Sequence, residues 1–172
     1  MNKKASFDII VNLFRLLFVI VVFISVITLT RAFIVQKIDI FEIESKLLTN
    51  RLIFSKEINY VDNDLNREYV GIIDLQKFTS GDIQEKLLNS IYYGKINSEA
   101  SAKLVLKDLD SNKEYEVYYN KDLYNEKKVL VEAKLIGSGA AKRLDTNFYV
   151  IIKDGSKLKK GVLKVDAILP NS

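Results

Sequence analysis

The sequence contains no cysteine, no histidine and no tryptophan among its 172 residues. Disulfides, cysteine nucleophiles, Cys/His zinc sites and histidine-based catalytic triads are therefore excluded, and we expect neither a metal nor a cofactor. One proline and seven glycines do not suffice for a long flexible linker or a low-complexity tail. No asparagine is followed two residues later by serine or threonine, so the chain carries no acceptor for N-glycosylation.

The net charge of +4 is confined to the N-terminal fifth of the chain. Residues 1–38 contain five basic side chains and one acidic side chain, which leaves 21 of each sign in 39–172. Proteins that bind nucleic acid concentrate lysine and arginine on the domain that meets phosphate. Because the larger part of this chain is neutral overall, its basic pI does not indicate a nucleic-acid partner.

A continuous apolar run extends from Ile9 to Leu29. As a helix this run is about 31 Å long, which is close to the thickness of the hydrocarbon core of a bilayer. A cleaved signal peptide has a shorter apolar region followed by small residues, whereas Thr30 and Arg31 follow here. The run therefore favours an uncleaved transmembrane anchor over a cleaved signal or a buried helix of a soluble protein.

The charges that flank the apolar run predict a cytoplasmic N-terminus. Lys3, Lys4 and the free N-terminus precede the run, whereas Arg31 and Lys37 on the far side are followed closely by Asp39 and other acidic residues. The more basic flank of a membrane helix stays in the cytoplasm. The protein is then a single-pass protein of the cell membrane. Its predicted parts are a cytoplasmic N-terminus (1–8), a transmembrane helix (9–30), a juxtamembrane bridge (31–38) and an extracytoplasmic domain (39–172).

Three polar residues lie near the cytoplasmic end of this helix. Asp8, Asn12 and Arg15 are spaced i, i+4 and i+7, which places them on one helical face. Two interpretations stay open. In the first, Arg15 extends its side chain to the lipid headgroups while Asp8 remains in the interface. In the second, this face contacts another transmembrane helix, because ionisable groups inside membranes usually face protein.

The remaining residues suffice for one hydrophobic core. The spacing of apolar residues predicts a helix from Asp39 to Phe54 and a second helix that begins at Thr79, with a short buried strand at 71–75 between them. Further strands are predicted at 103–107, 115–119, 129–136, 148–152 and 161–169. We therefore expect an α+β domain in which two helices pack on one face of an antiparallel sheet.

Three segments have part of the pattern of a ligand-binding loop. Asp62–Asn66 and Asp108–Asn112 alternate oxygen ligands as calcium loops do, but both lack the glycine and the bidentate acid of such loops. The segment 136–142 contains glycines and a lysine, but not in the order of a phosphate-binding loop. We predict that the first two segments are turns and that the third is a loop.

The N-terminal sequence Lys3-Lys4-Ala5-Ser6-Phe7, followed by a hydrophobic helix and an exterior α+β domain, resembles the type IV pilin-like proteins, especially the archaeal ones. The resemblance implies that a prepilin peptidase recognises the pair Lys4-Ala5 and cleaves once, after Ala5. It also implies that the helix assembles with its copies in a filament core. Asp8 would then be the third residue of the processed chain, whereas bacterial-type pilins have a glutamate at the fifth. The stretch Tyr69–Phe78 is also similar to uncharacterised single-pass archaeal membrane proteins.

In the absence of a catalytic constellation, the sequence predicts a membrane-anchored, non-catalytic structural or assembly subunit, such as a minor pilin-like component of a surface or secretion machine. The alternative is a tethered extracytoplasmic binding module that uses the sheet face or the loop at 137–143. A remote alternative is a hydrolase with Ser156 or Ser138 as nucleophile, since Ser156 and Lys159 match S-x-x-K. The expected partners are the lipid bilayer and other transmembrane helices or copies of the chain.

Overall fold

A computed structural model describes residues 3–34, 40–91, 99–134 and 140–170. The chain divides into two compact units, Met1–Asp39 and Ile40–Ser172. The first unit contains one long helix, α1, and the second contains all the other helices and strands.

Helix α1 spans Lys3–Ile34. Within it, the 19-residue stretch Asn12–Thr30 has a mean hydropathy of 2.6 and is long and apolar enough to cross a membrane. The apolar helix predicted at 9–30 is thus confirmed as a helix, and it extends beyond the predicted bounds at both ends.

The hydroxyl groups near the end of this stretch form hydrogen bonds within the helix. Ser25, Thr28 and Thr30 each donate to the carbonyl oxygen four residues earlier, at 2.8, 2.8 and 2.7 Å. Hydrocarbon offers a hydroxyl group no other partner. Inside a bilayer, these bonds would lower the cost of placing three polar side chains in an apolar environment.

The second unit is a mixed α/β structure with an antiparallel-rich sheet. Its sheet has the strand order β1-β2-β5-β6-β3-β4. In chain order the elements are α2 (Ile40–Ile53), β1 (Asn59–Asp62), β2 (Arg67–Asp74), α3 (Leu75–Phe78), α4 (Ile83–Ser90), β3 (Ser101–Asp108), β4 (Glu114–Tyr119), α5 (Lys121–Glu132), β5 (Ala141–Asp154) and β6 (Lys157–Pro170).

One pairing in the sheet is parallel, which corrects the expectation of a purely antiparallel sheet. Strands β2 and β5 run in the same direction, with Ile72 opposite Ile151. The other four neighbouring pairs are antiparallel. Parallel neighbours require a long connection between them, and here α3, α4, β3, β4 and α5 supply it.

The centre of the sheet is the long hairpin formed by β5 and β6. Each strand has 14 residues, and they pair continuously from Ala141 opposite Pro170 to Asp154 opposite Lys157. The two-residue turn contains Gly155 at φ +60°, a conformation that favours glycine. The hairpin predicted at this turn is confirmed, and its strands are longer than expected.

The first face of the sheet carries the main hydrophobic core. Alternate residues of β6 point to it because side chains alternate along a strand. Helices α2, α3 and α4 contribute to the same core. Its fully buried members include Leu48, Leu52, Phe78, Leu87, Leu104, Leu106, Ile152, Leu163, Val165, Ala167 and Leu169.

Helix α5 lies on the opposite face, which we call the second face. Its residue Tyr124 packs with Ile168 and Ala141 in a separate cluster. Helices therefore lie on both faces of the sheet, whereas the sequence predicted two helices on one.

The strand predicted at 129–136 is wrong in its described part, because residues 129–132 lie in α5. The apolar run Val129-Leu130-Val131 has the composition of a strand. In α5, however, Val131 follows Tyr124 by seven residues, so both side chains lie on the same helical face and pack in the same cluster.

The first half of the unit differs from the prediction in three places. The strand predicted at 71–75 ends at Asp74, because α3 begins at the next residue. The carboxylate of Asp74 accepts hydrogen bonds from the N–H groups of Gln76 and Lys77 and so caps α3. The helix expected from Thr79 begins at Ile83. Strand β1 was not predicted.

Candidate functional site

Helix α5 covers only part of the second face. It packs near the beginning of β5 and the end of β6. Toward the hairpin turn, none of the described helices covers the second face. We call this open region the bare half. It consists of Tyr149, Ile151, Lys153, Leu158, Lys160 and Val162 on the hairpin, with Tyr60, Tyr69 and Ile72 on the neighbouring strands.

A buried polar network attaches α5 to the covered part. The hydroxyl of Tyr124 donates a hydrogen bond of 2.5 Å to Oδ2 of Asp166. Arg143 donates to the same carboxylate through Nε at 2.8 Å and approaches it with its Nη2 atom at 2.6 Å. The side chain of Asp166 is only 4% exposed. These contacts join β5, β6 and α5 at one carboxylate.

Burial dominates the protonation behaviour of this network. Burial raises the pKa of Tyr124 far above its ordinary value, and the hydrogen bond to Asp166 raises it further. Burial also raises the pKa of Asp166, against the opposing effects of Tyr124 and Arg143. Since the carboxylate oxygens already accept from Tyr124 and Arg143, we interpret the network as an attachment for α5.

The cavity beside this network holds basic side chains that are already paired. Its volume is about 290 Å³. Each of its three lysines approaches an acid: Lys103 pairs with Glu116 at 2.6 Å, Lys164 with Asp145 at 3.2 Å, and Lys128 with Glu132 at 3.7 Å. A small anion would have to displace these carboxylates. The cavity is therefore a weaker candidate site than the bare half.

The bare half exposes large apolar side chains in the middle of the sheet. Tyr149 is 90% exposed, Leu158 is 64% exposed and Ile151 is 43% exposed. Tyr149 belongs to β5, an inner strand of the sheet; it stands opposite Val162 of β6, and the pairing of β5 with β2 on the other side begins at Ile151. Side chains on such inner strands are usually covered by another layer of the domain. An exposed apolar patch of this kind typically marks an interaction site.

A row of stacked rings and cations borders the patch. The rings of Tyr60 and Tyr69 stack with centroids 5.9 Å apart. Arg67 lies 5.2 Å from the centroid of Tyr69, and the Nζ atom of Lys153 lies 3.1 Å from the centroid of Tyr60. Cation–π contacts and stacking stabilise this arrangement of the side chains. The surface is thus partly ordered before any partner arrives.

Between this row and the hairpin turn lies an open cleft. Its volume is about 600 Å³, and it is lined by Tyr60, Ile72, Lys153, Gly155, Ser156 and Leu158. Apolar atoms form most of the lining, and the ammonium group of Lys153 stands at its edge. Such a cleft can receive a large apolar side chain.

No protein family, curated protein or solved structure matches this chain. Within the described residues, no group of three or more acidic side chains is arranged to hold a metal ion.

The residues that were predicted to form a helix contact face lie on α1. Asn12 and Arg15 are both exposed on this helix, and their spacing places them on one face. The side chain of Asp8 lies outside the described side chains, and so do those of Lys4 and Ala5 at the predicted processing site. Contact with another helix and cleavage after Ala5 stay predictions.

Both segments with calcium-loop spacing are turns, as predicted. The Oδ1 atom of Asp62 accepts hydrogen bonds from the N–H groups of Asp64 and Leu65. Asp108 accepts in the same way from the residues two and three positions later. The carboxylates therefore stabilise local turns. Of the loop predicted at 136–142, residues 136–139 lie outside the described residues, and the prediction is wrong for Ala141 and Lys142, which belong to β5.

The S-x-x-K pair has an arrangement that does not suit catalysis. Ser156 belongs to the hairpin turn, and Lys159 donates a hydrogen bond of 2.7 Å to Asp154. This bond raises the pKa of Lys159 above its ordinary value, so the amine stays protonated. A lysine base must be neutral, which argues against Ser156 as a nucleophile. Ser138 lies outside the described residues.

Sequence reasoning did not identify the bare half. A signal for it exists in the predicted strand 148–152, where Phe148, Val150 and Ile152 alternate with Tyr149 and Ile151. Apolar residues on both faces indicate a strand covered on both sides. Only the first face is covered at this point, and the sequence does not show where α5 ends its coverage.

Proposed function

We propose that this chain is a single-pass membrane protein whose exterior domain holds a protein partner on the bare half. The observation that carries the proposal is Tyr149, which lies on the central hairpin opposite Val162 and is 90% exposed. The proposal takes 39–172 as extracytoplasmic, as the charges around the apolar helix favour. In this view the domain is a tethered, non-catalytic binding module.

The composition of the surface supports a protein partner. Tyrosine is enriched in protein interfaces because one side chain offers a large rigid apolar area and a polar hydroxyl. The bare half has three tyrosines, at 60, 69 and 149, together with exposed Ile151 and Leu158. Burial of these side chains by a partner would contribute about 25 cal/mol per Å² of apolar surface removed from water.

Site-specific photo-crosslinking in the native membrane tests this proposal. With a photoreactive phenylalanine analogue in place of Tyr149, we expect a discrete crosslinked species. The matched control places the same analogue at Val129, which is 63% exposed on α5 and outside the bare half. Tyr149→Ser should abolish binding of the partner that the crosslink captured, whereas Val129→Ser should preserve its binding. Equal crosslinking at both positions would contradict the proposal.

A second candidate is assembly through α1, as the pilin-like resemblance implies. The observation that favours it is that Asn12 and Arg15 are polar residues within the apolar part of α1, because such residues in membrane helices commonly face protein. Mass spectrometry of the N-terminus in the native membrane tests it. A chain that begins at Ser6 supports pilin-like processing, and an intact Met1–Ala5 segment excludes it.

A further inference from the structure

Three basic side chains lie in or beside the bare half. Lys153 and Lys160 both belong to the second face of the hairpin, opposite Leu158 and Ile151 respectively. Arg67 lies at the far side of the tyrosine row. None of these three cations forms an ion pair with a described carboxylate. The apolar patch therefore has a basic border.

The acids nearest to this border are engaged elsewhere. Asp62 stands opposite Arg67 and Asp74 opposite Lys153 in the sheet. Each of these carboxylates accepts from two backbone N–H groups, Asp62 within its own turn and Asp74 at the start of α3. Asp154 pairs with Lys159 at 2.7 Å. The basic side chains of the bare half are consequently available to an outside carboxylate, and positive potential beside an apolar surface attracts acidic partners.

The shape of the surface favours a protein over a lipid bilayer. The cleft of about 600 Å³ between Tyr60, Ile72 and Leu158 is recessed. A protein can insert one side chain into such a cleft, and interface anchors of this type carry much of the binding energy. The planar headgroup region of a bilayer offers no side chain to fill this cleft.

We propose that the bare half docks an acidic protein segment. One apolar or aromatic side chain of that segment occupies the cleft at Tyr60 and Leu158, and its carboxylates meet Lys153 and Lys160. This inference rests on the proposed function above and adds the chemistry of the partner.

Binding to defined polymers tests the chemistry directly. The full chain is placed in nanodiscs of phosphatidylcholine, and the probes are a fluorescent random copolymer of glutamate and tyrosine and a matching copolymer of lysine and tyrosine. We expect the acidic copolymer to bind and the basic one not to bind. Because exposed charges are screened by salt, binding should weaken as the ionic strength rises from low to about 0.5 M.

Charge-reversal variants locate the binding surface. Lys153→Glu with Lys160→Glu should weaken binding of the acidic copolymer about tenfold or more, since like charges across an interface are unfavourable. The control pair, Lys56→Glu with Lys113→Glu, changes the net charge equally at exposed positions outside the bare half and should alter binding less than twofold. If the reversed pair impairs folding, Lys153→Gln with Lys160→Gln serves instead and should also weaken binding.

Three results would overturn the inference. The first is an equal loss of binding of the acidic copolymer in the control pair. The second is equal binding of the basic and the acidic copolymers. The third is that the chain binds vesicles of phosphatidylglycerol but does not bind the acidic copolymer. The test separates this inference from the proposed function on which it rests. If crosslinking at Tyr149 persists while the substitutions at Lys153 and Lys160 have no effect, the partner surface is retained and the acidic chemistry is wrong. Loss of site-specific crosslinking instead contradicts both.

Discussion

Replacement of Asp166 by alanine is expected to lower the free energy of unfolding by about 2–3 kcal/mol. The substitution leaves the buried hydroxyl of Tyr124 without its acceptor and deprives Arg143 of the carboxylate that it contacts through two nitrogens. Removal of one partner from a buried charge pair is costly because the other stays poorly solvated. Arg143 is 35% exposed, which reduces the cost below that of a fully buried pair.

The matched control for this variant is Asp145→Ala. Asp145 also pairs with Arg143, at 3.1 Å, but it is 43% exposed, and exposed ion pairs contribute less than about 1 kcal/mol. Urea denaturation of the full chain in detergent micelles measures both variants, with tyrosine circular dichroism as the signal. Hydrogen exchange should show reduced protection in α5 for Asp166→Ala alone. Similar destabilisation by both substitutions would refute a special role for Asp166.

Leu52→Ala is expected to cost about 3 kcal/mol. Leu52 is completely buried in the main core between α2 and the sheet, and removal of a buried leucine side chain forfeits its transfer free energy and leaves a cavity. The variant examines whether α2, the first element of the second unit, is an integral part of that domain. The same denaturation measurement applies.

The control for Leu52 is Leu47→Ala on the solvent side of the same helix. Leu47 is 45% exposed, and its truncation should change the free energy of unfolding by less than about 1 kcal/mol. The two substitutions alter helix propensity in the same way, so the difference between them reports packing. A loss below about 1 kcal/mol for Leu52→Ala would mean that α2 contributes little to the core.

The elements that could be predicted are those with a strong local signal. The apolar run that forms most of α1, the spacing in α2 and the turn at Gly155 all depend on residues within a few positions of one another. Such periodicities identify helices and hairpins reliably. The segment Val129–Val131 misled the prediction because three adjacent apolar residues suit either a strand or a helix.

The candidate site could not be predicted because distant segments form it. Tyr60 and Lys153 are 93 positions apart in the chain, yet the Nζ atom of one lies 3.1 Å from the ring centroid of the other. That proximity follows from the parallel pairing of β2 with β5, and no local pattern encodes it. The same reason explains why the contact between Tyr124 and Asp166 was not expected.

The sequence by itself determined the chemistry that this protein lacks, the position of its one long apolar helix and the neutrality of the remaining domain. These properties follow from composition and local periodicity. Only the tertiary structure decided that α5 crosses to the second face, that it covers part of that face, and that Tyr149 is left exposed. Coverage of a sheet depends on where a helix packs in three dimensions, and a strand sequence with two apolar faces is compatible with either outcome.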